Sequence, residues 1–178
     1  LATKTNGIFK FNPFSNNIYK MGNLENNMYN LNSELITSIL VDEYDQLWIA
    51  TLGDFSRFTR NPSNIFNFIP KKTMHNLNIF PYDFAINKQG DLWAGTAVLE
   101  ELINDKNSEQ LIFKSYSEED NNPNTFLGWN NRELHFDNEG NLWFANYKGL
   151  NILPKTEQNT HLPSFKHYSS NHEDPHSL

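Results

Sequence analysis

The chain has no cysteine, only 8 glycines and 8 prolines, and no long apolar run. Without cysteine there are no disulfides, no thiolate metal ligands and no thiol nucleophile. The longest apolar stretch, "ITSILV", has the length of a strand and falls far short of a membrane span. Lysines and arginines are not concentrated on any segment, and the formal charge is −7, which argues against nucleic acid as a partner. The first residues carry no signal-peptide pattern. No phosphate-cradling glycine loop occurs, and serine, histidine and aspartate never fall in a nucleophile-elbow context. No catalytic residue, metal or cofactor is assigned.

Aromatics are abundant. They make up 14% of 178 residues, and phenylalanine alone contributes 14. Such a composition favours sheets. Asparagine-rich blocks such as "FSNNIYK", "ENNMYN" and "EEDNNPN" read as loops between short strands, because asparagine suits turns and left-handed backbone.

A repeat organises the chain. Trp48, Trp93 and Trp143 recur after 45 and 50 residues, within "DEYDQLWIAT", "NKQGDLWAGT" and "DNEGNLWFAN". Leu1-Ala2-Thr3 matches Ile49-Ala50-Thr51, so a further copy is entered part-way, which leaves room for a signal segment upstream. Each unit has one grammar. A short apolar strand leads to a polar turn and then to the Leu-Trp strand. A third strand follows ("GIFKF", "DFSRF", "LEELI", "GLNIL"), then a polar connector and an aromatic fourth strand ("NIYKM", "IFNFI", "LIFKSY", "SFKHY"). The segments alternate at period two and are too short for helices. Four strands per 45 to 50 residues is the period of a propeller blade.

The expected fold is therefore all-β, a partial β-propeller of about three and a half four-stranded antiparallel blades. The boundaries are an outer half-blade at 1–22, blades at 33–70, 78–117 and 126–169, and a lead-in to a further blade at 170–178. The half-blade is expected to be a two-stranded ribbon. In each turn a short polar side chain opens the hairpin, and glycine supplies the positive φ at the fourth position. The tryptophans are expected as inter-blade wedges, with the small residue two positions later letting neighbouring backbone approach. An open arc exposes strand edges and blade faces, which predicts self-association.

The pattern Asp-x-x-Gly-x-Leu-Trp-x-Gly-Thr, followed by Gly-Leu and an apolar strand, resembles the two-component regulator propeller repeat. The runs "NNPNTF" (121–126) and "HEDPHSL" (172–178) are similar to that family's lead-in to a new blade. Asp45 stands for the turn glycine, Asn87 for the leading aspartate and Asn146 for the threonine after Trp, and "AVLEE" lacks the glycine of "KGL". The resemblance implies an extracytoplasmic, periplasmic sensor region of a bacterial hybrid two-component system. Such regions precede a membrane helix and a histidine kinase, and many respond to oligosaccharides. It thus implies a non-catalytic, ligand-sensing propeller fragment that meets the membrane only through other parts of a parent chain.

Candidate ligand residues follow from position. Trp129, Asn130 and Arg132 precede the first strand of a blade, outside the Leu-Trp register, where loops open on a ligand face. Tyr82 holds a comparable place, and Tyr147 and Lys148 follow a Trp strand. The alternative is that Trp129 packs against a neighbouring blade. His161, His167, His172 and His176, near Glu173 and Asp174, match no zinc spacing and read as a solvated connector. Two other readings remain open. One is a propeller lyase using a histidine such as His135 or a tyrosine with a divalent cation. The other is a scaffold that contacts only protein.

Overall fold

The computed structural model describes residues 2–3, 5–21, 31, 33–52, 54–60, 66–70, 81–103, 111–119, 122, 124–171, 173–174 and 177. The connectors at 61–65 and 104–110, and His172 and His176, lie outside them. The chain divides into two compact units, Leu1–Pro81 with Asp105–Leu111, and Tyr82–Asn104 with Ile112–Leu178.

The first unit holds two antiparallel sheets. One contains β1 (Ala2–Thr3), β2 (Gly7–Asn12) and β3 (Asn17–Met21). The other contains β4 (Ile36–Val41), β5 (Leu47–Thr51), β6 (Asp54–Arg60) and β7 (Phe66–Pro70). The first sheet is three-stranded and not the expected ribbon. Ala2 and Thr3 pair with Ile8 and Gly7, as Ala50 and Thr51 of the Trp strand pair with Phe55 and Asp54. Ile8 packs with Ile49 and Phe58, which joins the two sheets of this unit.

The second unit repeats the meander twice. β8 (Asp83–Ile86), β9 (Leu92–Gly95), β10 (Leu99–Leu102) and β11 (Phe113–Tyr116) form one sheet. β12 (Glu133–Phe136), β13 (Leu142–Asn146), β14 (Gly149–Leu153) and β15 (Lys166–Tyr168) form the other. Among the described residues the only helical turn is a 3-10 turn at Lys155–Glu157. No helix among them is long and apolar enough to cross a membrane.

The three hairpins share one register. Leu40, Ala85 and His135 lie opposite Trp48, Trp93 and Trp143. The turn explains why a polar residue opens each one. Asp42 Oδ1 accepts the backbone N–H groups of Tyr44 and Gln46, both at 2.9 Å. Asp137 Oδ1 does the same for Glu139 and Asn141, also at 2.9 Å. The other carboxylate oxygen accepts the indole N–H of Trp48 (3.0 Å) or of Trp143 (2.8 Å). One side chain thus closes the turn and satisfies the tryptophan six residues on. Hydrogen bonds from the Trp143 indole and then from Asn141 hold the Asp137 carboxyl well below the usual carboxylate range.

The second hairpin reverses a hydrogen bond. Asn87 keeps the oxygen that accepts from Gln89 and Asp91. Its Nδ2 donates to Asp91 Oδ2 at 2.8 Å, whereas in the last hairpin Asn141 Nδ2 donates to Asp137 Oδ2 at 2.9 Å. Donor and acceptor have changed places across the same four-residue separation. Position four of each turn has positive φ, namely 83° at Gly90, 91° at Gly140 and 60° at Asp45. Asp45 departs from the glycine pattern without changing the turn, because aspartate tolerates the left-handed region better than most residues.

Trp48 and Trp93 are buried, and Trp143 is half-buried. Trp93 stacks on Tyr116 at 5.6 Å between ring centroids, within a cluster fed by both sheets of its unit: Ala85 and Leu99 from one, Leu134, Leu142, Phe144 and Leu153 from the other. Phe126 and Phe165 close this cluster with edge-to-face contacts to Phe144. Leu142 and Phe144 point into it, so Trp143, between them on the pleat, sits on the opposite face of its sheet. Gly95 shows why a small residue follows Trp93. A Cβ there would lie 2.4 Å from the Asn131 carbonyl oxygen of the neighbouring sheet.

Candidate functional site

The loop 126–132 leads into β12 and is held from both sides. Asn131, fully buried, donates its backbone N–H to Thr96 O at 2.9 Å, across to the end of β9. On the other side Asn146 Nδ2 donates to Leu127 O at 2.6 Å and to Asn131 Oδ1 at 3.2 Å. Asn151 Oδ1 accepts the Leu127 N–H at 3.0 Å, and its Nδ2 donates to Leu127 O at 3.2 Å. His167 Nδ1 lies 2.8 Å from Asn151 Oδ1 and fixes that amide from β15. His167 is therefore a strand residue with a structural partner and not part of a solvated connector. Two left-handed residues, Gly128 (φ 101°) and Asn130 (φ 57°), bend the loop so that Trp129 stands out, 51% exposed. A side chain at 128 would meet the Asn146 amide, so glycine fits there.

Around Trp129 the expected ligand residues converge. The Tyr147 ring lies 6.3 Å from the Trp129 ring at 46°, and it is 63% exposed. The Arg132 guanidinium carbon sits 5.3 Å from the Tyr82 centroid and 5.2 Å from that of Tyr147. Its Nη2 donates to the Tyr147 hydroxyl at 2.7 Å. Both rings are within cation–π range. Lys148 Nζ lies 5.8 Å from the Trp129 ring and pairs with Glu118 at 2.8 and 3.1 Å. Tyr82, Trp129, Arg132, Tyr147 and Lys148 thus form one surface cluster, Tyr82 half-buried and the others exposed, built from the segments leading into β8 and β12 and from the β13–β14 turn. Asn130 shapes its loop.

Glu118, Asn146 and Asn151 escaped the sequence reading. Glu118 bonds Lys148 and also accepts the Gly128 N–H at 3.1 Å. Those two interactions, Lys148 first, hold its carboxyl below the usual carboxylate range. Asn146 carried a signal, since it departs from the threonine of the repeat. Nothing local marks Glu118, whose partners lie 10 and 30 residues away.

A separate cleft of about 300 Å³ opens between β11 and residues 161–165, lined by Lys114, Ser115, Tyr116, Asn124, His161 and Phe165 among others. Lys114 Nζ covers the Tyr116 ring at 4.5 Å, and Tyr116 donates to Glu101 at 2.5 Å. Burial raises the Glu101 carboxyl above its ordinary value, and burial together with Glu101 raises the Tyr116 hydroxyl. His161 lines this cleft, apart from His167. Among the described residues no group of three or more His, Asp or Glu side chains could hold a metal ion.

Residues 30–53 match the family model described as Two component regulator propeller, a span that contains the β4–β5 hairpin and its Asp42 turn. No curated protein matches the chain in sequence. Among solved structures, the extracellular domain of BT4673 from B. thetaiotaomicron, assigned to a one component or hybrid two component system, superposes with a TM-score of 0.72. The identity is 18%, over 99% of this chain and 21% of that one. The fold is that of β-propeller blades. The extracellular domain of BT3049 from the same organism, assigned to a hybrid two component system, gives 0.63 at 20% identity, covering 92% of this chain and 22% of its own. Virginiamycin B lyase from Staphylococcus aureus gives 0.60 at 13% identity, covering 95% and 50%. At these identities the likeness is one of fold. The chain spans about a fifth of the length of the sensor domains.

Proposed function

We propose that this chain is a ligand-sensing part of an extracytoplasmic, periplasmic propeller, that it binds oligosaccharide, and that its parent protein passes the signal to a kinase outside this chain. The observation carrying this reading is the exposed pair Trp129–Tyr147, Tyr147 in the β13–β14 turn and Trp129 on a loop whose backbone is fixed at Thr96, Asn146 and Asn151. Ring faces carry negative quadrupole charge and attract the weakly positive C–H groups of a pyranose. Neighbouring hydroxyl, amide and cationic groups supply orientation. The 46° tilt of the two rings suits adjacent sugars of a twisted chain better than one flat group.

Titration calorimetry against a panel of oligosaccharides tests this, with product analysis and a chelator arm. Saturable binding without turnover, lost in Trp129→Ala and Tyr147→Ala, is expected. Chelator-sensitive cleavage would replace the reading with a lyase, and absence of binding to any saccharide would leave a protein-contacting scaffold.

A further inference from the structure

Resting on the saccharide reading, we infer that the ligand is acidic, a uronate- or sulfate-bearing oligosaccharide, and that Arg132 receives its anionic group. The two cations of the site differ in what they already bind. Lys148 is committed, because both Glu118 oxygens lie within hydrogen-bond distance of its ammonium group. Arg132 is not. Among the described residues it has no carboxylate partner, and of its five side-chain N–H donors the structure engages one, through Nη2 to the Tyr147 hydroxyl.

The placement also matters. The guanidinium is located by two tyrosine rings, Tyr82 just before β8 and Tyr147 in the β13–β14 turn, so little conformational entropy is left to lose when it binds. A planar fork of N–H groups matches a carboxylate or a sulfate ester in two-point geometry. The rings beside it stack the sugar that carries the acid, while the neutral Lys148–Glu118 pair adds no repulsion. The chain's charge of −7 opposes an anion at long range, but ionic screening beyond about 8 Å leaves the local cation dominant.

The test uses the full chain and three probes: a neutral cello-hexaose, a hexagalacturonide and a chondroitin sulfate hexasaccharide. Binding is read by calorimetry and by quenching of the exposed Trp129, with Trp129→Phe as the fluorescence control. One or both acidic probes should bind at least tenfold more tightly than the neutral one, and the affinity should fall with salt. Arg132→Gln should weaken the acidic probe about ten- to a hundredfold, and Arg132→Lys by less. Because the Arg132 side chain is itself exposed and contacts the exposed Tyr147 and the half-buried Tyr82, circular dichroism should be unchanged in both variants. Tight binding of the hexagalacturonide shows that a carboxylate suffices, whereas binding of the chondroitin sulfate hexasaccharide alone, which carries uronates as well as sulfate esters, assigns the preference to sulfate. If cello-hexaose binds as tightly and Arg132→Gln changes nothing, the acidic assignment is overturned while saccharide binding stands. If no probe binds, both fall.

Discussion

Replacing Asp42 by asparagine changes one atom and tests the logic of the repeat. The amide oxygen can still accept the N–H groups of Tyr44 and Gln46, as Asn87 does for its own turn. The new amide nitrogen, however, faces the Trp48 indole N–H across the 3.0 Å now spanned by a hydrogen bond. Trp48 is fully buried, so two donors meet where water cannot enter. A hydrogen bond to a charged acceptor contributes about 1.5–3 kcal/mol. For a chain of this size that corresponds to a fall in melting temperature of about 3–12 °C. Trp48→Phe removes the indole donor and supplies the other arm of a double-mutant cycle, followed by far-UV circular dichroism and urea titration at neutral pH. Once Trp48→Phe is in place, the asparagine should cost under about 0.5 kcal/mol, giving a coupling of about 1–3 kcal/mol. A coupling near zero would mean that the aspartate serves the turn alone and that its link to the tryptophan is incidental.

The remaining predictions use the same geometry. Asn87→Asp sets two carboxylates against each other and should destabilise the second hairpin by about 1–2 kcal/mol, while adding Asp91→Asn should restore it; thermal melts of the single and double variants check this. Gly95→Ala drives a Cβ into the Asn131 carbonyl and should cost about 1–3 kcal/mol or prevent folding, read by urea denaturation, although alanine is native at the equivalent positions 50 and 145. Asp137 has a depressed folded-state pKa, so its contribution is complete above the unfolded value of about 4 and is lost as pH falls through the folded value. Asp137→Asn should therefore flatten the acid limb of a stability–pH profile and lower its neutral plateau.

Much of the fold was legible because it is written locally. Alternation sets the strands, and a turn residue must lie within four positions of the N–H groups that it caps. The Trp partner sits six residues away, so the Asp42–Trp48 and Asp137–Trp143 units are visible in a line of sequence. The candidate site divides differently. Trp129, Arg132, Tyr147, Lys148 and Tyr82 could be named from their positions relative to strands, but not their mutual distances. Glu118, Asn146 and Asn151 act across separations that only the folded meander makes short. Ala2–Thr3 matches the Trp strand of the repeat in sequence, but two residues carry no periodicity to mark a paired strand, so only the pairing to β2 turns the expected ribbon into a three-stranded sheet.

The loop that carries Trp129 is tied by Asn131 to the end of β9 and by Leu127 to β13 and β14. It therefore works as a short strut between adjacent sheets, with an aromatic handle at mid-span. A molecule that grips the handle pulls on both anchorages at once, and any small tilt of one sheet against the other changes the strain in the strut. The position of Trp129 is in this way coupled to the angle between the two sheets, with no need for any segment to unfold.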